Sequence, residues 1–269
     1  MTGAVASDPR IAACYEIATR AADLARVIPP TAMGEKANGD VSTLADIVAQ
    51  NFIVEELRRR FPEDRVIAEE GTTRSGSGSV RWEIDPLDGT LNFMRHMGPW
   101  AVSIAAVRNN DILVGCIAEG SGDDVFTAAQ GFGAQRNGRP IQVSSTEALA
   151  LALVGFDCPY DHGPRMRTTL PAVGELLRES KALRCYGSCA VALCKIATGE
   201  LDAYAVEYGK SWDFAAGTLL VREAGGKVTT WAGEHYHPEH NTQFLATNST
   251  LHEPVKTVLK AHICQHPTT

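Results

Sequence analysis

The stretch Trp82-Glu83-Ile84-Asp85-Pro86-Leu87-Asp88-Gly89-Thr90-Leu91-Asn92-Phe93 sets two aspartates three residues apart where an apolar run ends, with Pro86 fixing a tight turn between them. Two carboxylates crowded onto one turn repel unless a positive charge lies between them. A divalent cation supplies that charge, and hard oxygen ligands of this kind suit Mg²⁺. Gly89-Thr90 opens a helical segment, whose first N–H groups and positive dipole end suit a phosphate. Metal beside phosphate is the arrangement of phosphoryl chemistry. An Asx-rich turn that only caps a helix would use the same residues, so the string alone leaves both readings open.

Two further acidic features bear on that choice. Glu69-Glu70 closes the preceding strand as Asp85 closes the next, so adjacent strands would bring these carboxylates together. Ser211-Trp212-Asp213-Phe214-Ala215-Ala216-Gly217 places an aspartate at the start of an apolar helix, followed by Glu223-Ala224-Gly225-Gly226. Asp213 could equally be an ordinary helix cap. Lys36 precedes Asp40 in a polar segment, from which it could reach a substrate phosphate or simply be a loop lysine. Glu234-His235-Tyr236-His237-Pro238-Glu239-His240 has the composition of a metal tract, but its proline and its place between strands favour a solvated turn.

Elements must hold these residues in place. Apolar residues at helical spacing predict helices over 10–28, stopped by Pro29-Pro30, and from Thr43 to Phe61, stopped by Pro62. Met33 to Asp40 is too irregular for an element, and Gly71–Ser79 is rich in Gly and Ser and reads as a mobile loop. Strands are expected at 65–68, 80–84, 102–107, 112–118, 125–128 and 133–136. The second half alternates: strands near 153–156, 203–206, 227–230 and 243–246, and helices near 164–180, 188–198, 213–224 and 252–262. Two packed sub-domains are expected, 1–145 with most metal ligands and 146–269 with Asp213 and the specificity residues.

The chain has 269 residues, 44% hydrophobic, with 25 Lys and Arg against 32 Asp and Glu, a net charge of −7. That balance lacks the basic footprint that nucleic acid or an anionic membrane requires. No apolar run reaches the ~18 residues of a membrane span. Glu16, Arg20, Asp23 and Arg26 fall where a signal peptide would be apolar. The seven cysteines, scattered and without a C-x-x-C pair, form neither a disulfide framework nor a zinc site. Buried reduced thiols are expected, Cys185, Cys189 and Cys194 included, and with them a cytoplasmic location.

Asp85-Pro-Leu-Asp-Gly-Thr-Leu-Asn-Phe93 and Trp212-Asp-Phe-Ala-Ala-Gly217 with Glu223-Ala-Gly-Gly226 resemble the two signatures of the inositol monophosphatase family. So do Asp40-Val-Ser-Thr-Leu-Ala-Asp46, Ala68-Glu-Glu70 and Gly187-Ser-Cys189, in the family's order. The resemblance implies an α+β, α/β layered αβαβα sandwich of the inositol monophosphatase and fructose-1,6-bisphosphatase type. It also implies a magnesium-dependent, lithium-sensitive phosphatase, a homodimer, with two or three Mg²⁺ per site. Glu69, Asp85 and the Leu87 carbonyl would hold the first ion, and Asp85, Asp88 and Asp213 the second, while a third would touch Glu69. Thr90 with Asp46 would orient and help deprotonate the attacking water, and the Gly89 and Thr90 N–H groups would hold phosphate. Gly187, Ser188, Cys189 and Glu207 are the substrate-side candidates, with Asp88 and Asp213 touching the substrate as well as metal.

One departure concerns the substrate. Inositol-specific members carry a glutamate seven residues before the tryptophan-linked aspartate; here that position is Val206, and Glu207 follows it. A one-residue displacement on a strand points a side chain to the other face. The expected substrate is a small phosphate monoester, an inositol monophosphate-like polyol first. Histidinol phosphate, a 3′-phosphoadenosine-type nucleotide and fructose bisphosphate follow. A catalytically inactive binding protein is the alternative of a different kind.

Overall fold

The structure, a computed structural model, describes residues 8–35, 41–71, 73–158, 166–238 and 242–262. Lys36 and Asp40 lie outside the described residues. The described chain opens with α1 (Pro9–Arg26), whose first turn is capped by the Asp8 carboxylate accepting from the Arg10 N–H at 2.8 Å. A ribbon of β1 (Ala32–Glu35) and β2 (Val41–Thr43) leads into α2 (Leu44–Arg60). Arg58, Arg59 and Arg60 occupy the last turn of α2, where the helix dipole favours cations.

An eight-stranded sheet follows. Its strands are β3 (Arg65–Ala68), β4 (Thr73–Arg74), β5 (Val80–Asp88), β6 (Ala101–Arg108), β7 (Asp111–Glu119), β8 (Val125–Ala129), β9 (Ala134–Arg136) and β10 (Arg139–Pro140). They lie in the order β10-β9-β8-β7-β6-β5-β3-β4, with the short helix α3 (Thr90–Met94) leaving the end of β5. The second half supplies β11 (Leu153–Asp157), α4 (Met166–Glu179), β12 (Ala182–Arg184), α5 (Cys189–Ala197), β13 (Ala203–Gly209) and α6 (Ser211–Glu223). It ends with β14 (Lys227–Thr229), β15 (Thr242–Thr247) and α7 (His252–Lys260). Its five strands run in the order β12-β11-β13-β15-β14.

Period-two alternation decides which face of each strand meets which helix. Trp82 and Ile84 of β5 pack with Ile17, Ile53 and Leu57 of α1 and α2. The other face of that sheet, through Ala105 and Val107, packs on Leu193 and Ile196 of α5 and Phe214 and Leu220 of α6. Those same helices bury Tyr204, Val206 and Phe244 of the second sheet. The outer face of the second sheet, with Val154, Phe156, Ala203 and Ala205, is covered by Leu176 of α4 and Val255 and Leu259 of α7. The result is helix, sheet, helix, sheet, helix. One core through α5 and α6 joins residues from both halves, and each large side chain buried there contributes roughly 1.5–3 kcal/mol.

Five short strands escaped the sequence pattern, β2 beside β1 and β10 beside β9 among them. Met33 to Glu35 belongs to β1, Thr73-Arg74 of the Gly/Ser-rich segment pairs with β3, and β12 lies beside β11. These strands are two to four residues long, too short for an apolar alternation to mark them. Among the described cysteines none is disulfide-bonded, but Cys158 and Cys185 are exposed instead of buried. In the histidine-rich turn Tyr236 is fully buried against Phe214 and Phe244, so that turn is pinned rather than wholly solvated. Glu239 and His240 of that tract lie outside the described residues.

Candidate active site

The acidic residues meet at strand ends. β3 and β5 run parallel with Ala68 opposite Ile84, and the Glu69 N–H donates to the Ile84 carbonyl at 3.2 Å, so Glu69 stands beside Asp85. Asp85 and Asp88 are an odd number of residues apart, which in a regular strand would point them to opposite faces. The ladder to β6 instead steps from Asp85↔Ser103 to Asp88↔Ala101, three residues against two. This bulge takes up Pro86 and Leu87, and Pro is tolerated there because no ladder N–H is needed. It turns both carboxylates toward one place. Burial holds the Asp85 carboxyl well above the usual range, and the charges of Glu69, Asp88 and Asp213 push it further.

Asp85 Oδ1 accepts from the Leu87 N–H at 3.0 Å, shaping the turn. Gly89 follows in the left-handed region at φ +92°, and a Cβ there would stand 2.9 Å from the Pro99 carbonyl and 3.1 Å from that of Gly187. Glycine is required on both counts. The Thr90 hydroxyl lies 3.1 Å from Asp46 Oδ1 and 3.0 Å from the Leu87 carbonyl; having one proton, it donates to one of them at a time. Asp46 reaches this point from the first turn of α2, its Oδ2 accepting from the Thr43 N–H (2.8 Å) and the Thr43 hydroxyl. Burial raises the Asp46 carboxyl, the Thr43 bonds oppose that, and the charge of Glu70 adds to it.

The second half closes the site from above. Asp88 Oδ2 accepts from the Ser188 hydroxyl and, at 2.8 Å, from the Ala190 N–H at the start of α5. Burial lifts Asp88 to about 7 against the lowering effect of those two bonds. Asp213 enters from the first turn of α6, its Oδ2 accepting from the Lys210 N–H at 2.7 Å. Beneath it, the Ser211 hydroxyl donates to Glu83 Oε2 at 2.6 Å, while Glu83 Oε1 accepts from Arg81 Nε at 2.7 Å. This buried acid ties the start of α6 to β5, and sequence reasoning missed it. The signal was present: Arg81 and Glu83 alternate with Trp82 and Ile84 inside a strand that is buried throughout, both charged residues included.

The substrate-side candidates divide. Gly187 at φ +62° and Ser188 border Gly89, but the Ser188 hydroxyl is given to Asp88, and its oxygen caps α5 through the Val191 N–H. Cys189 lies 3.1 Å from the Tyr204 hydroxyl. Val206 packs in the core with Tyr204, Phe214 and Phe244. The ladder to β15 steps from Val206↔Phe244 to Gly209↔Thr242, a second bulge with the same three-against-two count. Glu207 sits in it, buried, and accepts from the Thr169 hydroxyl of α4.

Glu69, Asp85, Asp88 and Asp213 offer hard oxygen donors whose mutual repulsion a cation would relieve, so the donor chemistry fits Mg²⁺. Among the described residues no three His, Cys, Asp or Glu side chains form a ready-made ligand cage. Asp88 and Asp213 are instead held by protein N–H groups. No described helix is long and apolar enough to cross a membrane.

Five alternating layers with an acidic cluster where β3, β5 and α6 meet define a layered α+β protein with a polar site at its sheet ends. The inositol monophosphatase family pattern matches residues 7–266, and the chain belongs to that family. It is 36% identical over 203 residues to the Nus factor SuhB of Escherichia coli K12, covering 75% of this chain and 76% of that protein. It is likewise 36% identical over 203 residues to inositol monophosphatase 3 of Solanum lycopersicum, covering 73% and 76%. The inositol monophosphatase structure from Anabaena (Nostoc) sp. PCC 7120 superposes with a TM-score of 0.84 at 30% identity, covering 94% of this chain and 96% of that one.

Proposed function

We propose that the protein hydrolyses a small phosphate monoester in a Mg²⁺-dependent reaction, with an inositol monophosphate-like polyol phosphate as the first substrate to try. The observation that carries this is the convergence of Asp85, Asp88, Glu69 and Asp213 beside the hydrogen-bonded Thr90–Asp46 pair. Glu69, Asp85 and the Leu87 carbonyl would hold one Mg²⁺, and Asp85, Asp88 and Asp213 a second. Bound there, Mg²⁺ would stabilise phosphoryl charge and acidify water. Thr90 orients the attacking water through its hydroxyl, and Asp46, fixed by Thr43, takes up the Thr90 proton. The N–H groups of Gly89 and Thr90 would hold the phosphate. Family membership supports the phosphatase class, and the solanaceous relative's name supports inositol phosphate.

EDTA should abolish hydrolysis of inositol 1-phosphate, histidinol phosphate, 3′-phosphoadenosine 5′-phosphate and fructose 1,6-bisphosphate alike, and Mg²⁺ should restore it on the true substrate. Full turnover in metal-free buffer would end this reading. A second reading, a family member that acts by binding, is favoured by the Nus factor name of the bacterial relatives. Mg²⁺ binding with no hydrolysis across the whole panel would select it.

A further inference from the structure

We propose that Asp157, the last residue of β11, is a positioning residue that fastens the 185–189 turn and through it sets the orientation of Asp88. A buried carboxylate is costly unless donors surround it. Asp157 has four. Its Oδ1 accepts from the Cys185 thiol, the Tyr186 N–H and the Gly187 N–H, each at 2.9 Å. Its Oδ2 accepts from the Tyr204 hydroxyl, also at 2.9 Å.

What this acid holds is the segment that meets the other sheet. Gly187 takes the left-handed conformation that lets two successive N–H groups point at one oxygen. Asn92 of α3 grips the same turn from the opposite side, its Nδ2 donating to the Tyr186 carbonyl (2.8 Å) and the Pro99 carbonyl (2.7 Å). The next residues, Ser188 and Ala190, deliver the hydroxyl and the N–H that hold Asp88 Oδ2. The hydrogen bonds of Asp157 go to the turn and to Tyr204, and its charge, which also bears on Asp88, is what Asp157→Asn removes. Asp157 acts through the turn, so a carboxylate at the end of one sheet orients a carboxylate at the end of the other. The consequence for metal affinity rests on the reading under Proposed function; the ordering of the turn does not.

The test contrasts geometry with charge in the full chain. Asp157→Asn keeps an Oδ1 acceptor and loses the charge, while Asp157→Glu keeps the charge and displaces it by a methylene. Hydrogen exchange of peptides covering 185–191 is followed by mass spectrometry in metal-free protein, and Mg²⁺ binding by titration calorimetry, with thermal unfolding to confirm folding. Asp157→Glu should speed exchange in 185–191 and weaken the second Mg²⁺ by ~10–100-fold, the usual cost of disturbing the partners of a metal ligand. Asp157→Asn should be milder in both. Unchanged exchange in both variants, or Asn worse than Glu, would overturn the proposal. Failure of the wild type to bind Mg²⁺ would overturn the metal reading instead, and exchange at the Ala190 N–H, which sits on Asp88, would still decide the role of Asp157.

Discussion

The end of β5 and the end of β13 are built alike and carry opposite lessons. Each strand ends in a bulge of three residues against two, and each bulge carries an acid of the candidate site. At β5 the bulge, the glycine and the threonine are consecutive, so Asp85, Asp88, Gly89 and Thr90 come as one rigid piece. At β13 nothing is local: Glu207 finds its partner Thr169 on α4, 38 residues away in sequence. A contiguous piece keeps its geometry wherever the scaffold places it. A corner assembled from β13 and α4 changes whenever one strand slips by a residue. The acid-bearing corner therefore suits a shared chemistry, and the distributed corner suits a variable substrate.

Substitutions at the two ends should separate these roles. Asp85→Asn should cost most, roughly 10³-fold in kcat, since it removes the carboxylate proposed to touch both ions, worth several kcal/mol. Its thermal stability should hold or rise, because burial and three neighbouring acids already oppose the charge. Thr90→Ala should lower kcat by about 10²-fold with KM little changed, the usual range for a lost proton-transfer partner. Steady-state kinetics on the best substrate checks both. At the other end, if Glu207 serves the non-reacting part of the substrate, Glu207→Ala should raise KM about tenfold with kcat nearly intact. A fall in kcat alone would erase the distinction between the two strand ends.

The smallest effect is expected in the scaffold under the distributed corner. His252 is buried at the start of α7, between the hydroxyls of Thr229 and Thr247 at 3.0 Å each. Burial, then the charge of Lys227, pulls its pKa down to about 4. The unfolded chain binds that proton near pH 6.5, so this contribution is complete above pH 6.5 and is lost as pH falls toward 4. Urea unfolding at pH 7.5 and 5.5 should differ by about 1–2 kcal/mol, and His252→Asn should flatten the difference.

Much of this was legible from sequence for a physical reason. The strand-and-helix alternation follows from periodic burial, and most expected elements lie within a few residues of their observed bounds. The exceptions, β1, β2, β4, β10 and β12, are short pieces at sheet edges or in a two-stranded ribbon, where pairing leaves no apolar pattern. The acids at the ends of β3 and β5 could be placed together because parallel neighbouring strands end side by side. Asp157 could not be singled out, since its partners Tyr186, Gly187 and Tyr204 are far away in the chain.

By itself, then, the sequence determined the layer types, the acidic string with its obligatory glycine, and the family, because each is written in neighbouring residues. Only the tertiary structure decided that Val206 is core, that Glu207 turns to α4, and that Asp88 is held by α5. Those outcomes depend on a bulge and on contacts between elements remote in sequence, and no local pattern of side chains encodes either.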